Sequence, residues 1–230
     1  MVLFMLAHAG GSARSYCSFK KYLPKELQLI PMECAGHGLR MGEDFFGSIP
    51  LCAADLLNKH ADVIKNEDYA FFGHSMGTMI ICELTKQIRA KKLPEPCHVF
   101  LSGRCAINEN IDIFPNPNVM SDEEIVDFFV KYKLFPKMDN PEIFSLFSRI
   151  LCSDIRMTSG YNLLPEQFRF NSEITVLYGN DDIFLQNFNM YNWSSFSTKG
   201  CSVIQFPGGH FYYNDHKKEI CNVILNKLEF

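Results

Sequence analysis

Three residue types that together can carry acyl chemistry stand far apart in this chain: Ser75, adjacent aspartates at 181 and 182, and His210. Ser75 lies between two glycines in "FFGHSMGTMI", residues 71–80. A serine hydroxyl is a poor nucleophile at neutral pH, so it needs a base, and the base needs an orienting group. Gly-His-Ser-Met-Gly at the seam between an apolar run and a helical pattern is the arrangement of a nucleophile elbow. In such a turn the serine is strained above the sheet, and a side chain at 73 or 77 would meet neighbouring backbone. The helix that follows points its N-terminus at the site, where free N–H groups favour developing negative charge.

His210 is the candidate base. It follows the last apolar run in "FPGGHF", on a glycine-freed loop at a strand's C-terminal end, where open sheets place ligands. His60, His98 and His216 lie in or beside regular elements and read as structural. His74 sits inside the elbow and is expected to point away from the serine. His8 and His37 occupy loops at strand ends, where lining a site is possible for both. The orienting carboxylate should end the preceding strand, where the chain reads Tyr178-Gly179-Asn180-Asp181-Asp182. Spacing alone does not separate Asp181 from Asp182, since one of them can simply turn the loop. Asp154 lies in an insertion and Asp215 is expected to cap the last helix, so both are weaker. Two backbone N–H groups must face an oxyanion: Met76, directly after the serine, and Ala9, in the glycine loop "HAGGS" after the first strand.

The elements that must position these groups read as alternating strands and helices. Apolar runs at 2–7, 27–32, 69–72, 97–102, 174–178 and 201–206 are continuous, as in strands covered on both faces. Met76, Ile80, Leu84 and Ile88 recur at helical spacing, as do Ile220, Val223, Ile224 and Leu228. This order predicts an α/β fold, a parallel sheet with helices on both faces, in one domain. Residues 105–171 interrupt it with no core strand and two amphipathic helices. One opens at a capping box from Ser121 to Glu124 and presents Ile125, Phe128, Phe129 and Tyr132. The other begins at Pro141 and presents Phe144, Phe147, Ile150 and Leu151. An insertion there reads as a helical lid.

Composition narrows the class further. Of 230 residues 47% are hydrophobic and 21% charged, with net charge −4, which excludes extensive disorder. No basic block exceeds two residues, so no nucleic-acid partner is expected. Nine cysteines without a C-x-x-C pair fit reduced thiols in the cytoplasm better than a disulfide framework or a zinc site. The opening "MVLFMLAHAG" mimics a signal peptide but lacks a basic start, and reads as a strand. No apolar run is long enough to cross a membrane.

The chain resembles the type II thioesterases that accompany modular nonribosomal peptide and polyketide synthases, relatives of the medium-chain thioesterase of animal fatty acid synthase. The matching pieces are "AHAGGSARSY", "AGHGLRMGE", "FFGHSMGTMI", "LSGR", "LCSDIRMTSGY", "LYGNDD" and "FPGGHFYYN", spread over nearly the whole chain. The resemblance implies an α/β-hydrolase fold with a helical lid. It implies Ser75, Asp182 and His210 as the triad, because the family's aspartate is the fourth residue of Gly179-Asn180-Asp181-Asp182. It also implies hydrolysis of acyl groups wrongly left on the phosphopantetheine arm of a carrier protein, with no metal and no cofactor of the enzyme's own. Two positions depart from the usual pattern: Ala35-Gly36-His37 replaces Pro-Gly-Arg, and Cys152 replaces arginine. Both bear on carrier docking or the acyl pocket.

Three rivals share the fold: a small-molecule esterase or acyltransferase, a medium-chain fatty acyl thioesterase, and a binding module without activity. Lys131, Lys133, Lys137, Arg149 and Arg156 in the insertion are candidates for steering an acidic carrier, and the protein is expected to act as a monomer.

Overall fold

The computed structural model describes residues 1–109, 111, 116–159, 161 and 167–230. Residues 110, 112–115, 160 and 162–166, part of the expected insertion, lie outside the described residues. Six strands form one sheet: β1 (Val2–Leu6), β2 (Gln28–Pro31), β3 (Tyr69–His74), β4 (His98–Ser102), β5 (Glu173–Gly179) and β6 (Cys201–Phe206). Their order is β2-β1-β3-β4-β5-β6 and every pairing is parallel. All six expected runs are strands. The first, Val2–Leu6, is fully buried and paired on both sides.

Alternation along each inner strand builds two cores. Phe4, Phe71, Leu101 and Val176 face one layer with α1 (Ile49–Lys59) and α3 (Met76–Ala90). Leu3, Met5, Phe72, Phe100 and Leu177 face the other, against Tyr16, Phe19 and α6 (Lys217–Lys227). Because both faces are covered, these strands read as unbroken apolar runs. A short helix α2 (Ala61–Asn66) links α1 to β3. The chain leaves β1 toward one edge of the sheet and later fills the other. The reversal therefore falls between β1 and β3, and open parallel sheets bind ligands at such a switch point.

Between β4 and β5 lie α4 (Asp122–Lys131) and α5 (Pro141–Ser159). α4 opens with the full reciprocal capping box of Ser121 and Glu124. Its buried face is Ile125, Val126 and Phe129, so Tyr132 is exposed rather than part of the stripe. The helix ends at Lys131, so Tyr132 is its C-cap residue, its ring lying against Phe128 at the surface, and Lys133 at φ 57° turns the chain onward. In α5 the buried residues begin at Ile150, while Phe144 and Phe147 are half-buried at its outer end. The two helices share a small core of their own, and Ala9 and Phe184 from beside the sheet pack against it.

Candidate active site

Ser75 sits between the last residue of β3 and the first of α3 with φ 55° and ψ −111°, a left-handed conformation costly for a side-chain-bearing residue. Its N–H donates to the Ser102 carbonyl at 2.7 Å, which ties the turn to the end of β4. The flanking glycines have the expected steric cause. A Cβ on Gly73 would stand 2.6 Å from the Gly77 carbonyl group, and one on Gly77 would collide with the Leu6 carbonyl oxygen of β1. The elbow is thus wedged against the end of the strand that carries the Ala9 loop.

His210 and Asp182 come together. The His210 Nδ1–H donates to Asp182 Oδ2 at 2.7 Å, and the Phe184 N–H donates to Asp182 Oδ1 at 3.0 Å. Asp182 is buried and Asp181 exposed, so the structure separates the two carboxylates that spacing leaves equivalent. With Nδ1 engaged, the imidazole's Nε2 is the nitrogen left for a substrate-side proton. Ser75, Met76, Ala9 and His210 line one cavity of about 510 Å³ at the switch point. Met76 is the first residue of α3, where an N–H has no partner within the helix. The Ala9 N–H meets no backbone or side-chain acceptor among the described residues.

The remaining histidines divide. His74 is fully buried, points away from the cavity, and its Nδ1 lies 2.8 Å from the Ser102 hydroxyl, which in turn lies 2.7 Å from the Tyr212 hydroxyl. Burial and the neighbouring His210 and His8 hold its pKa well below the ordinary range, so it is a neutral wall behind His210, ring centroids 4.8 Å apart. His8 does line the cavity. Burial first, and His210 beside it, push its pKa down to about 3, so it too is neutral. His60 ends α1 against Phe4, His98 meets the Thr175 hydroxyl, and His216 meets the Pro207 carbonyl.

His37 does not line the cavity. It is buried beneath α5, with Nε2 at 2.9 Å from Asp154 Oδ2. The same oxygen accepts the Gly10 N–H at 2.7 Å. Burial would lower the pKa of His37, but the hydrogen bond and charge of Asp154, with Cys34 and the Ala35 carbonyl, raise it to about 9. The histidine that replaces the family's usual arginine therefore keeps a positive charge at neutral pH. Asp154 orients no catalytic histidine; it holds the glycine loop to α5. Asp215 does not cap α6, whose cap position is His216, without a side-chain hydrogen bond. Cys152, the second departure, is buried with its Sγ 3.5 Å from the Asp122 carbonyl, inside the contact between α4 and α5. Arg156 is not a free surface cation, because it pairs with Asp122 at 2.6 Å and donates to the Met120 carbonyl.

The parallel sheet, the strained strand-to-helix turn and the cavity at the switch point define an α/β-hydrolase fold. The chain matches the thioesterase domain family over residues 2–228, so it belongs to that family and is a thioester hydrolase. It is 25% identical over 238 residues to the gramicidin S biosynthesis protein GrsT of Aneurinibacillus migulanus, covering 98% of this chain and 88% of that one. It is also 25% identical over 226 residues to the human S-acyl fatty acid synthase thioesterase, medium chain, covering 96% and 84% respectively. Among solved structures, ClbQ from the colibactin NRPS/PKS pathway superposes with a TM-score of 0.92 at 25% identity, covering 99% of this chain and 96% of ClbQ.

No group of three or more histidine, cysteine or acidic side chains able to hold a metal occurs among the described residues. No helix among them is long and apolar enough to cross a membrane.

Proposed function

We propose that this protein is a type II thioesterase that clears acyl groups left on the phosphopantetheine arm of carrier proteins in a nonribosomal peptide or polyketide synthase. Ser75 is the nucleophile, His210 the general base and Asp182 its orienter. His210 Nε2 takes the Ser75 proton as the hydroxyl oxygen attacks the thioester carbonyl. The Met76 and Ala9 N–H groups hold the oxyanion, each worth on the order of 3 kcal/mol. The tetrahedral intermediate collapses with the C–S bond breaking, and His210 returns its proton to the leaving thiol. Water, deprotonated by the same ring, then cleaves the acyl-serine and frees the acid. The enzyme contributes no cofactor; phosphopantetheine belongs to the substrate.

The observation that carries this reading is the 2.7 Å contact between His210 and Asp182 at the rim of the cavity that also holds Ser75 and the two donors. We assign residues 105–171 as a lid within a single domain, because Phe129 of α4 and Ile155 of α5 line that cavity. One chain supplies every proposed group, which supports action as a monomer. All nine cysteines are free, which supports a reducing, cytoplasmic setting.

A fatty acyl thioesterase remains the second reading, favoured by the full-length likeness to the human medium-chain enzyme. Measuring turnover of one acyl group on a carrier protein, on coenzyme A and on a simple oxygen ester decides between these and an esterase. The account predicts the highest kcat/KM on the carrier. A preference for the oxygen ester would contradict it.

A further inference from the structure

Arg104 occupies the cavity wall with no counter-ion among the described residues. It lies two residues beyond Ser102, whose carbonyl accepts the Ser75 N–H, so its backbone is within roughly 7 Å of that contact. Ser75, Met79, Arg104 and Tyr161 all line the same cavity. The Arg104 Nε is sealed from solvent and has no hydrogen-bond partner, and among the described residues no carboxylate pairs with the guanidinium. Among the described residues, the ionisable groups that act on its charge are the thiols of Cys105 and Cys82. Burial raises the pKa of both, Cys105 to about 11, so they stay protonated and leave the charge uncompensated. No aspartate, glutamate or lysine is among the described residues that line the cavity, and His8 is neutral there. Among the described residues, the cavity lining therefore holds one permanent cation and no anion.

A sealed guanidinium nitrogen without an acceptor is expensive, and Arg104, half-buried as a whole, does not escape by losing its proton. Such a group is compensated when a ligand brings the missing acceptor. We propose that Arg104 selects acyl chains bearing a hydrogen-bond-accepting oxygen beyond the thioester, a ketone, amide or carboxylate, over plain alkyl chains. The inference rests on the proposed acyl-serine chemistry and names the substrate class that chemistry acts on. A carbonyl oxygen accepts from the guanidinium directly, and a carboxylate does so with charge assistance and two-pronged geometry. An alkyl chain of the same length buries the cation further and returns nothing.

The test uses the full-length protein and N-acetylcysteamine thioesters of matched length: hexanoyl, 5-oxohexanoyl and glutaryl, with shorter and longer sets made alike. The wild-type kcat/KM should favour the oxygenated member over the alkyl one by roughly tenfold or more, the range of a charge-assisted hydrogen bond. In Arg104→Met that ratio should fall to near one or invert, while Arg104→Lys should retain part of it. The ketone and carboxylate arms show whether charge adds to hydrogen bonding. A wild-type ratio near or below one at every length overturns the proposal, whatever the variants do. So does a ratio that Arg104→Met leaves unchanged. If the wild type hydrolyses none of the thioesters, the serine mechanism itself fails; if it hydrolyses all of them indifferently, only the role of Arg104 fails.

Discussion

Asp181 and Asp182 are neighbours in sequence, yet the fold gives them opposite environments. Asp182 is 1% exposed and accepts from His210 and from the Phe184 N–H, whereas Asp181 faces solvent. Asp182→Asn should therefore lower kcat by about 10⁴-fold, through loss of the orienting carboxylate. Asp181→Asn should stay within a few-fold of wild type. Steady-state hydrolysis of one acyl thioester by both variants checks this, and equal losses would contradict the assignment. Much of the site at this scale was legible beforehand. The elbow announces itself locally, because Gly73 and Gly77 are needed by contacts that any nucleophile turn makes. The choice between the aspartates was not legible from spacing, since it depends on which side chain the Tyr178–Asp182 bend turns inward. Arg104 was visible in "LSGR" but carried no role, because lacking a partner is a property of the packed cavity and leaves no mark on the sequence.

At the scale of elements, Asp154 joins three segments. From α5 it accepts the Gly10 N–H of the glycine loop after β1, 144 positions away, and pairs with His37 from the loop after β2, 117 positions away. Contacts at such separations have no periodic signature, which is why His37 read as a possible site-lining group and Asp154 as a spare carboxylate. The six strands, by contrast, were legible as apolar runs, and α4 by its capping box. The outer half of α5 was less so, because Phe144 and Phe147 have the spacing of a core stripe but only partial cover. The pKa of His37 rises on folding from an ordinary 6.5 to about 9. Its stabilisation is therefore fully present below about pH 6.5 and is lost as pH rises through about 9, a contribution on the order of 3 kcal/mol. His8 acts in the opposite sense. Its pKa is pushed down to about 3, so stability falls as pH drops below about 6.5. Urea unfolding across this range should show a maximum near neutrality, and His37→Gln should flatten the alkaline limb. An alkaline limb unchanged in His37→Gln would contradict the ion-pair assignment.

For the whole molecule, the surface charge bears on encounter with a carrier. Net charge is −4, but Lys131, Lys133 and Lys137 are exposed together where α4 turns toward α5, and Arg149 is exposed farther along α5. Acidic residues at the other end of α4 offset them, and Arg156 is already paired. The steering field is thus local to the turn. Raising salt from about 0.05 to 0.5 M shortens the screening length severalfold. It should therefore lower kcat/KM on an acyl carrier protein by a few-fold and leave hydrolysis of a neutral N-acetylcysteamine thioester nearly unchanged. Equal salt responses for the two substrates would remove the docking role. All of this serves one arrangement, in which β1, β3, β5 and the loop after β6 bring an alcohol, an imidazole and a carboxylate to one end of the sheet. The most direct test is to treat the folded protein with a fluorophosphonate and map the modified peptide. The account predicts one equivalent on Ser75, loss of thioester hydrolysis in parallel, and sharply slower labelling in His210→Ala. An unlabelled Ser75 in active enzyme, or labelling that His210→Ala leaves at the wild-type rate, would contradict it.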